Sequence, residues 1–175
     1  FGAGDGYYGI GLVKAGLAKR SICFEQSDEG KAALQQAAEA NGVTDRVTVL
    51  GRADTNFLDL PEMLQINPAE TLLIIDIEGG EFSLLTKDTL ARLKDAEMII
   101  ELHGGLMSKV PDVETRFLQQ LQAFFACEVF TMAQRDLSKI PEVALWGDSD
   151  RWLLCSESRP FLMRWVHCMP KQKAA

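Results

Sequence analysis

Residues 1 to 11 read Phe1-Gly2-Ala3-Gly4-Asp5-Gly6-Tyr7-Tyr8-Gly9-Ile10-Gly11, a stretch that contains five glycines. Glycine costs conformational entropy inside a strand or helix, so this density favours a loop that turns tightly and approaches a ligand closely. Residues 12–17 are predicted to form the helix that follows the loop, and Ser21 to Phe24 a short strand that ends at the acidic Glu25. This order of loop, helix, strand and acid is typical of a nucleotide-type cofactor site in an open α/β sheet.

The rest of the chain continues the alternation of strands and helices. Helices are predicted at residues 28–41, 82–93 and 113–125, and strands at residues 46–50, 71–77, 96–102, 127–132 and 151–156. Residues 57–64 favour a weak helix or a loop, and residues 135–150 a loop. Such alternation predicts a mostly parallel sheet with right-handed crossovers. The last two predicted strands lack a clear crossover helix between them, which permits an antiparallel hairpin at the sheet edge.

Length and composition indicate one domain that spans residues 1–175. The chain has 175 residues, of which 47% are hydrophobic and 25% charged, and we find no internal repeat or low-complexity linker. The formal net charge of −7 disfavours nucleic acid and anionic membranes as partners, because an acidic surface repels phosphate groups. No apolar run approaches the roughly 20 residues that a transmembrane helix needs.

The four cysteines are expected to be free thiols. Cys23, Cys127, Cys155 and Cys168 show neither a CxxC motif nor a spacing typical of zinc ligands. Three of them fall in predicted strands, where a free thiol behaves as a small buried hydrophobe. A reducing, cytoplasmic location fits this pattern best. A further strand is expected before Phe1, since a glycine loop of this kind follows a strand.

Acidic residues follow three of the predicted strands, on the side where open α/β sheets bind ligands. Glu25 could accept hydrogen bonds from both hydroxyls of a ribose, and Asp54 could bind the amino group of an adenine. Asp76 lies near the end of the third strand. Each acid alone could be a helix cap or a solvated loop residue, but three at successive strand ends favour a ligand site.

The glycine loop matches GxGxxG from Gly4 to Gly9, and Glu25 lies about 20 residues further on, as in dinucleotide-binding folds. An NAD(P)-dependent oxidoreductase is therefore one alternative. Asp5 argues against it, because a carboxylate inside the loop would repel a docked pyrophosphate. S-adenosylmethionine, which carries an amino group and a sulfonium, would not be repelled.

Four segments together resemble a known family: Gly2-Ala3-Gly4-Asp5-Gly6-Tyr7-Tyr8, Ile22-Cys23-Phe24-Glu25, Leu73-Ile74-Ile75-Asp76-Ile77-Glu78-Gly79-Gly80-Glu81 and Ile99-Ile100-Glu101-Leu102-His103. The chain resembles the FkbM-like group of class I S-adenosylmethionine-dependent methyltransferases over about residues 1–105. The resemblance implies a seven-stranded Rossmann-like α/β sheet and methyl transfer, usually to a hydroxyl oxygen. We expect a small-molecule or carbohydrate acceptor.

In this interpretation Gly2, Gly4 and Gly6 shape the cofactor loop and Asp5 faces the methionine part of the cofactor. Glu25 then binds the ribose and Asp54 the adenine. The first strand of the family, with the acid that commonly precedes the loop, would lie before Phe1. A domain that binds the cofactor or a partner protein without catalysis is the second alternative.

The acceptor side of the site is predicted at Asp76, Glu78, Glu101 and His103. His103 is the best candidate for the general base, because histidine titrates near neutrality and a hydroxyl acceptor must lose a proton. A histidine at a strand end with a purely structural hydrogen bond is the alternative. Asp76, Glu78 and His103 would suit Mg²⁺ or Mn²⁺ if they converge, but the sequence alone shows no convergence and we predict no metal.

Overall fold

The computed structural model describes residues 1–107, 112–131, 137, 140–155 and 163–171. In chain order the main elements are α1 (Tyr7–Lys14), β1 (Ser21–Phe24), α2 (Asp28–Asn41), β2 (Val47–Leu50), α3 (Pro61–Leu64), β3 (Leu72–Ile75), α4 (Glu81–Leu84), α5 (Lys87–Arg92), β4 (Glu97–Leu102), α6 (Val113–Phe124), β5 (Phe125–Thr131), α7 (Asp148–Cys155) and β6 (Arg164–Pro170).

The first four strands form parallel pairs, and the last two strands form an antiparallel edge. β1 pairs with β2 and β3 with β4 in parallel, whereas β6 pairs antiparallel with both β4 and β5, so that the larger sheet has the order β3-β4-β6-β5. The first residues of the chain join the two sheets. Phe1 accepts a hydrogen bond from Asp76 N at 3.2 Å, and Ala3 donates to the Phe24 carbonyl at 3.0 Å. β1, β2, β3 and β4 therefore end at one common edge.

Side chains on the two faces of the sheet pack into separate cores. Successive strand residues point to opposite faces, so the buried Cys23 and Phe24 belong to different clusters. Cys23 packs with residues of α1 and α2, among them Val13 and Leu34. Phe24 belongs to the larger cluster that covers the other face. β4 is buried at four of its six positions, and three of these, Met98, Ile100 and Leu102, alternate along the strand and belong to the larger cluster.

The first helix begins five residues before its predicted start. α1 starts at Tyr7, so Gly9 and Gly11 lie inside the helix rather than in the loop. Gly9 is the point where α1 meets β1, and a Cβ there would lie 2.5 Å from the Cys23 sulfur. Its missing side chain allows the helix to pack closely on the strand.

Two other predictions need correction. The strand predicted at 151–156 is wrong, because Asp148–Cys155 is the helix α7, and its first turn carries Asp148 and Asp150, which suit the positive end of the helix dipole. The antiparallel pair at the edge exists, but β5 pairs with β6, which we did not predict as a strand. Met132 and Ser156, at the ends of the two predicted strands, lie outside the described residues.

The helix predicted at residues 82–93 is divided into α4 and α5. Thr86 begins the second helix, because its hydroxyl accepts a hydrogen bond from Thr89 N at 3.2 Å. Among the described helices, the longest is α2 with 14 residues, and none has the length and apolar character required to cross a bilayer.

Candidate active site at the carboxyl edge of the sheet

The glycine loop lies directly against the end of β3. Gly2 has a φ of 67°, and a Cβ at this position would lie 1.7 Å from the Asp76 carbonyl oxygen. Any side chain larger than hydrogen would collide with backbone there, and the left-handed conformation itself favours glycine. Gly4 and Gly6 also have positive φ values, of 53° and 90°. The loop therefore turns closely over the strand edge, as the sequence predicts.

Glu25 is tied to this loop by a hydrogen bond. Its Oε2 accepts from Gly4 N at 3.1 Å, while its Oε1 accepts from the backbone N and the hydroxyl of Ser27 at 2.9 and 2.8 Å. Burial raises the pKa of this carboxyl, but the hydrogen bonds from Ser27 and Gly4 outweigh burial and hold the pKa below its usual range. Glu25 is therefore an ionised, oriented acceptor beside the glycine loop.

Asp5 and Asp54 make local contacts within their own turns. Oδ1 of Asp5 accepts from Tyr7 N at 3.1 Å in the first turn of α1, and Oδ1 of Asp54 accepts from Asn56 N at 2.8 Å. Both residues are exposed. For Asp54 this contact matches the role of a loop residue that the sequence left open as an alternative. The cofactor contacts assigned to Asp5 and Asp54 remain predictions.

His103 and Glu81 form the buried centre of the site. His103 follows β4, Glu81 is the first residue of α4, and both side chains are fully buried. Oε1 of Glu81 accepts from the backbone N of His103 at 2.9 Å and lies 3.1 Å from its ring Nδ1, while Gly79 N donates to Oε2 at 2.9 Å. These contacts fix both the position and the orientation of the imidazole.

The other ring nitrogen of His103 faces three more carboxylates. Nε2 lies 3.5 Å from Oδ1 of Asp76, 3.5 Å from Oε2 of Glu78 and 3.8 Å from Oε2 of Glu101. Burial lowers the pKa of His103, but the hydrogen bond and charge of Glu81, with the charges of Glu78 and Asp76, outweigh it and raise the pKa above its usual value. The structure thus brings the four predicted acceptor-side residues together around one imidazole.

The backbone at Glu78 is strained. Its φ of 52° lies in the left-handed region, which a residue other than glycine rarely adopts, and Gly79 follows with a φ of 98°. This turn directs the Glu78 carboxylate toward Nε2 of His103. Backbone strain of this kind persists where the surrounding structure imposes it, and it is common at functional sites.

The sequence analysis missed the role of Glu81. An acid in the first turn of α4 suits the positive end of the helix dipole, which explains the position of Glu81 but not its complete burial. Its inclusion with Asp76 and Glu78 in one Asp-x-Glu-Gly-x-Glu segment was the available signal. The second histidine, His167, lies elsewhere on the sheet, where its Nε2 is 2.5 Å from Oε1 of Glu97.

Comparisons with known proteins identify the fold. No family model matches the sequence, and no curated protein matches it either. Solved structures do match. A precorrin-6y C5,15-methyltransferase from Geobacter metallireducens has a TM-score of 0.56 at 12% identity, over 98% of this chain and 78% of that chain. An O-methyltransferase from Bacillus cereus in complex with SAH has a TM-score of 0.55 at 13% identity, over 87% of this chain and 63% of that chain.

A third match, a precorrin-8w decarboxylase from Methanobacterium thermoautotrophicum, has a TM-score of 0.53 at 14% identity, over 96% of this chain and 77% of that chain. The α/β fold predicted from the sequence is confirmed as the Rossmann-like fold of these neighbours, with parallel strands and an antiparallel edge. The chain spans less than two thirds of the Bacillus protein. At these identities the comparison establishes the fold alone.

Proposed function

We propose that this chain is an S-adenosylmethionine-dependent methyltransferase of the FkbM-like group, which methylates a hydroxyl of a small molecule or carbohydrate. The observation that carries the proposal is the hydrogen bond from Gly4 to Glu25, formed where Gly2 crosses the end of β3. A close backbone approach and an ionised acid lie side by side at the carboxyl edge of the sheet. The fold is one shared with structures of methyltransferases.

The residues at this edge fit an adenosyl cofactor. The loop leaves no room for a side chain at Gly2, which brings the backbone close to whatever binds above β3. Glu25 retains acceptor capacity after its contacts with Gly4 and Ser27, so its carboxylate can accept from two ribose hydroxyls. Asp54 would accept from the adenine amino group, and Asp5 would face the methionine part.

Asp5 also bears on the choice of cofactor. Its carboxylate accepts from Tyr7 N in the first turn of α1, where a dinucleotide would place its pyrophosphate. A negative charge already occupies that position, so anion binding is disfavoured. This contact favours S-adenosylmethionine over NAD(P), which remains the alternative to exclude by experiment.

The residues at the acceptor side, Asp76, Glu78 and His103, can position a hydroxyl and take its proton. The cofactor supplies a methyl group on a sulfonium, and transfer forms an oxygen–methyl bond as the sulfur–methyl bond breaks. Nδ1 of His103 is engaged by Glu81, so Nε2 is the nitrogen that can accept the hydroxyl proton. Asp76 and Glu78 lie beside Nε2 and would orient the acceptor.

Calorimetric titration of the full chain with S-adenosylhomocysteine tests the cofactor assignment. We expect saturable binding that Glu25→Gln weakens by about tenfold or more, equivalent to about 1.4 kcal/mol. Asp28→Asn is the matched control, since it removes an exposed carboxylate three residues away that pairs with Lys31. Absence of binding, or equal affinity in Glu25→Gln, would refute the assignment. Binding of NAD⁺ or NADP⁺ in its place would favour the oxidoreductase.

Transfer of a labelled methyl group to a panel of hydroxyl acceptors tests catalysis separately. We expect His103→Gln to bind S-adenosylhomocysteine as the unaltered protein does and to lose transfer. Cofactor binding with no transfer to any acceptor in a broad panel would instead support the non-catalytic binding domain.

A further inference from the structure

We propose that Asp76, Glu78 and His103 form a binding site for one divalent cation of the Mn²⁺ type. The prediction of no metal from sequence is thereby revised, because the structure shows the convergence that the sequence could not. The proposal goes beyond the proposed function, and the site would exist whether or not the chain transfers methyl groups.

The three ligand atoms are too far apart for hydrogen bonds between them, and their spacing suits an ion held in the middle. One atom from each residue lies within 4.8 Å of the other two, and Nε2 of His103 is 3.5 Å from both Oδ1 of Asp76 and Oε2 of Glu78. A hydrogen bond between such groups would be about 2.7 to 3.2 Å long. An ion with ligands at about 2.0 to 2.4 Å separates them by about 3 to 5 Å. The observed distances fall within that range.

The two innermost ligand atoms have no hydrogen-bond partner among the residues that the structure describes. Nε2 of His103 and Oδ1 of Asp76 are both buried and form no hydrogen bond. His103 as a whole is 0% exposed, so water does not reach its ring from bulk solvent. Leaving a buried polar atom unpaired is costly, so natural proteins rarely do so without a ligand. Both atoms point into the space shared with the Glu78 carboxylate.

Glu81 prepares His103 to act as a ligand. The Glu81 carboxylate cannot donate a hydrogen bond when ionised, so the proton of a neutral His103 lies on Nδ1, 3.1 Å from Oε1. The lone pair of Nε2 is then directed at Asp76 and Glu78. A carboxylate behind a metal-binding imidazole is the common arrangement in metalloproteins, where it fixes the tautomer and ring orientation.

The charge of the cluster also favours a cation. Asp76, Glu78, Glu81 and Glu101 bring four carboxylates to one side chain, and within the described ranges no lysine or arginine lies within 4.0 Å of the first three. Glu81 is fully buried, and close like charges in a poorly solvated site repel one another. A divalent ion would offset this repulsion. The strained turn at Glu78 delivers its carboxylate to the same place.

The ligand types favour a particular ion. Two carboxylates and one imidazole suit Mn²⁺ better than Mg²⁺ or Ca²⁺, which prefer oxygen ligands alone. Three protein ligands leave further coordination positions to water. If the proposed function is correct, an oxygen of the acceptor can take one of these positions. Because the ion then occupies Nε2 of His103, the proton of that hydroxyl goes to a water at the ion, and His103 acts as the base only when the ion is absent.

Titration of the metal-free full chain with Mn²⁺ alone, followed by the electron paramagnetic resonance signal of free Mn²⁺, tests the proposal. We expect one ion bound per chain, with affinity at least tenfold lower in both Glu78→Gln and His103→Gln. Glu97→Gln is the matched control, because Glu97 also contacts a histidine but lies outside the site. We expect it to bind Mn²⁺ unchanged, and Mg²⁺ to compete only weakly.

Failure to bind Mn²⁺ at millimolar concentration would overturn the proposal, as would unchanged binding in Glu78→Gln. Because the Glu78 side chain is 71% exposed, this substitution removes a ligand without opening the core. Titration with S-adenosylhomocysteine separates the two proposals. Binding of it without Mn²⁺ binding refutes the metal site alone, and the reverse result refutes the cofactor assignment alone.

Discussion

The backbone and the ring of His103 both contact the same oxygen of Glu81, at 2.9 Å from the amide nitrogen and 3.1 Å from Nδ1. One carboxylate on α4 therefore fixes the end of β4 and the orientation of the imidazole that follows it. Both residues are fully buried, so the contact is shielded from solvent. Every assignment at the acceptor side of the site depends on this pair.

Glu81→Gln is expected to lower the pKa of His103 in the metal-free protein. The neutral amide still accepts a hydrogen bond, but the negative charge that raises the pKa against the effect of burial is lost. The free energy of unfolding should fall by about 1 to 3 kcal/mol as a buried charge-assisted contact weakens. Nitrogen-detected NMR titration of the imidazole measures the pKa, and urea denaturation the stability.

Glu97→Gln provides the control for Glu81→Gln, since it removes the carboxylate next to His167 and should leave the His103 titration unchanged. An unaltered pKa of His103 in Glu81→Gln would show that Glu81 has only a packing role.

Gly2→Ala is expected to destabilise the chain by roughly 3 kcal/mol or more, because its Cβ would lie 1.7 Å from the Asp76 carbonyl and the left-handed backbone is also unfavourable. Gly11→Ala is the matched substitution. Gly11 lies inside α1, and its Cβ would have no neighbour within 4 Å, so stability should rise by about 0.5 to 1 kcal/mol. Thermal and urea denaturation of the two variants give the comparison. Equal stability would mean that the loop does not cross β3 as described.

Glu78→Gly is expected to be more stable than Glu78→Gln by about 0.5 to 1 kcal/mol. Glycine adopts the φ of 52° without the steric cost that glutamine shares with glutamate. Both variants should nevertheless lose Mn²⁺ affinity, because both lack the carboxylate. Urea denaturation of the metal-free proteins tests the first expectation. A Glu78→Gly protein less stable than Glu78→Gln would indicate that the backbone there is not strained.

The contribution of Glu25 to stability is expected to depend on pH. Its pKa in the folded chain is lowered from about 4.5, so its stabilising effect is complete above the unfolded value and lost as the pH falls through the folded value. The difference in unfolding free energy between the unaltered chain and Glu25→Gln should therefore be larger at pH 7 than at pH 3. Glu29→Gln, in the first turn of α2, controls for the loss of an exposed charge. A difference independent of pH would contradict the contacts with Ser27 and Gly4.

The sequence alone was sufficient to predict those elements whose hydrophobic pattern is local to the element. Continuous apolar runs identified β3 and β4, and their polar ends placed Asp76 and His103 at the carboxyl edge, because parallel strands end together. The fold class followed from the same alternation. What could not be predicted was the distance between side chains on different elements, which decides whether Glu78 and His103 meet.

The wrong or missing predictions also concern features that depend on contacts between distant parts of the chain or on short signals within one turn. Arg164–Pro170 mixes charged and apolar residues, and only its pairing with β4 on one side and β5 on the other makes it a strand. The apolar residues of α7 suggested a strand, but the acids of its first turn favour a helix. Glu81 was underestimated because burial of a carboxylate is stabilised by a partner 22 residues away in the chain.

A crystal structure of the chain with S-adenosylhomocysteine is the decisive test of an adenosyl cofactor held by Glu25 and the glycine loop. We expect both ribose hydroxyls to lie within hydrogen-bonding distance of Glu25, and the sulfur to face the group formed by Asp76, Glu78 and His103. Adenosine bound away from the glycine loop, with Glu25 directed only at Ser27 and Gly4, would contradict this expectation.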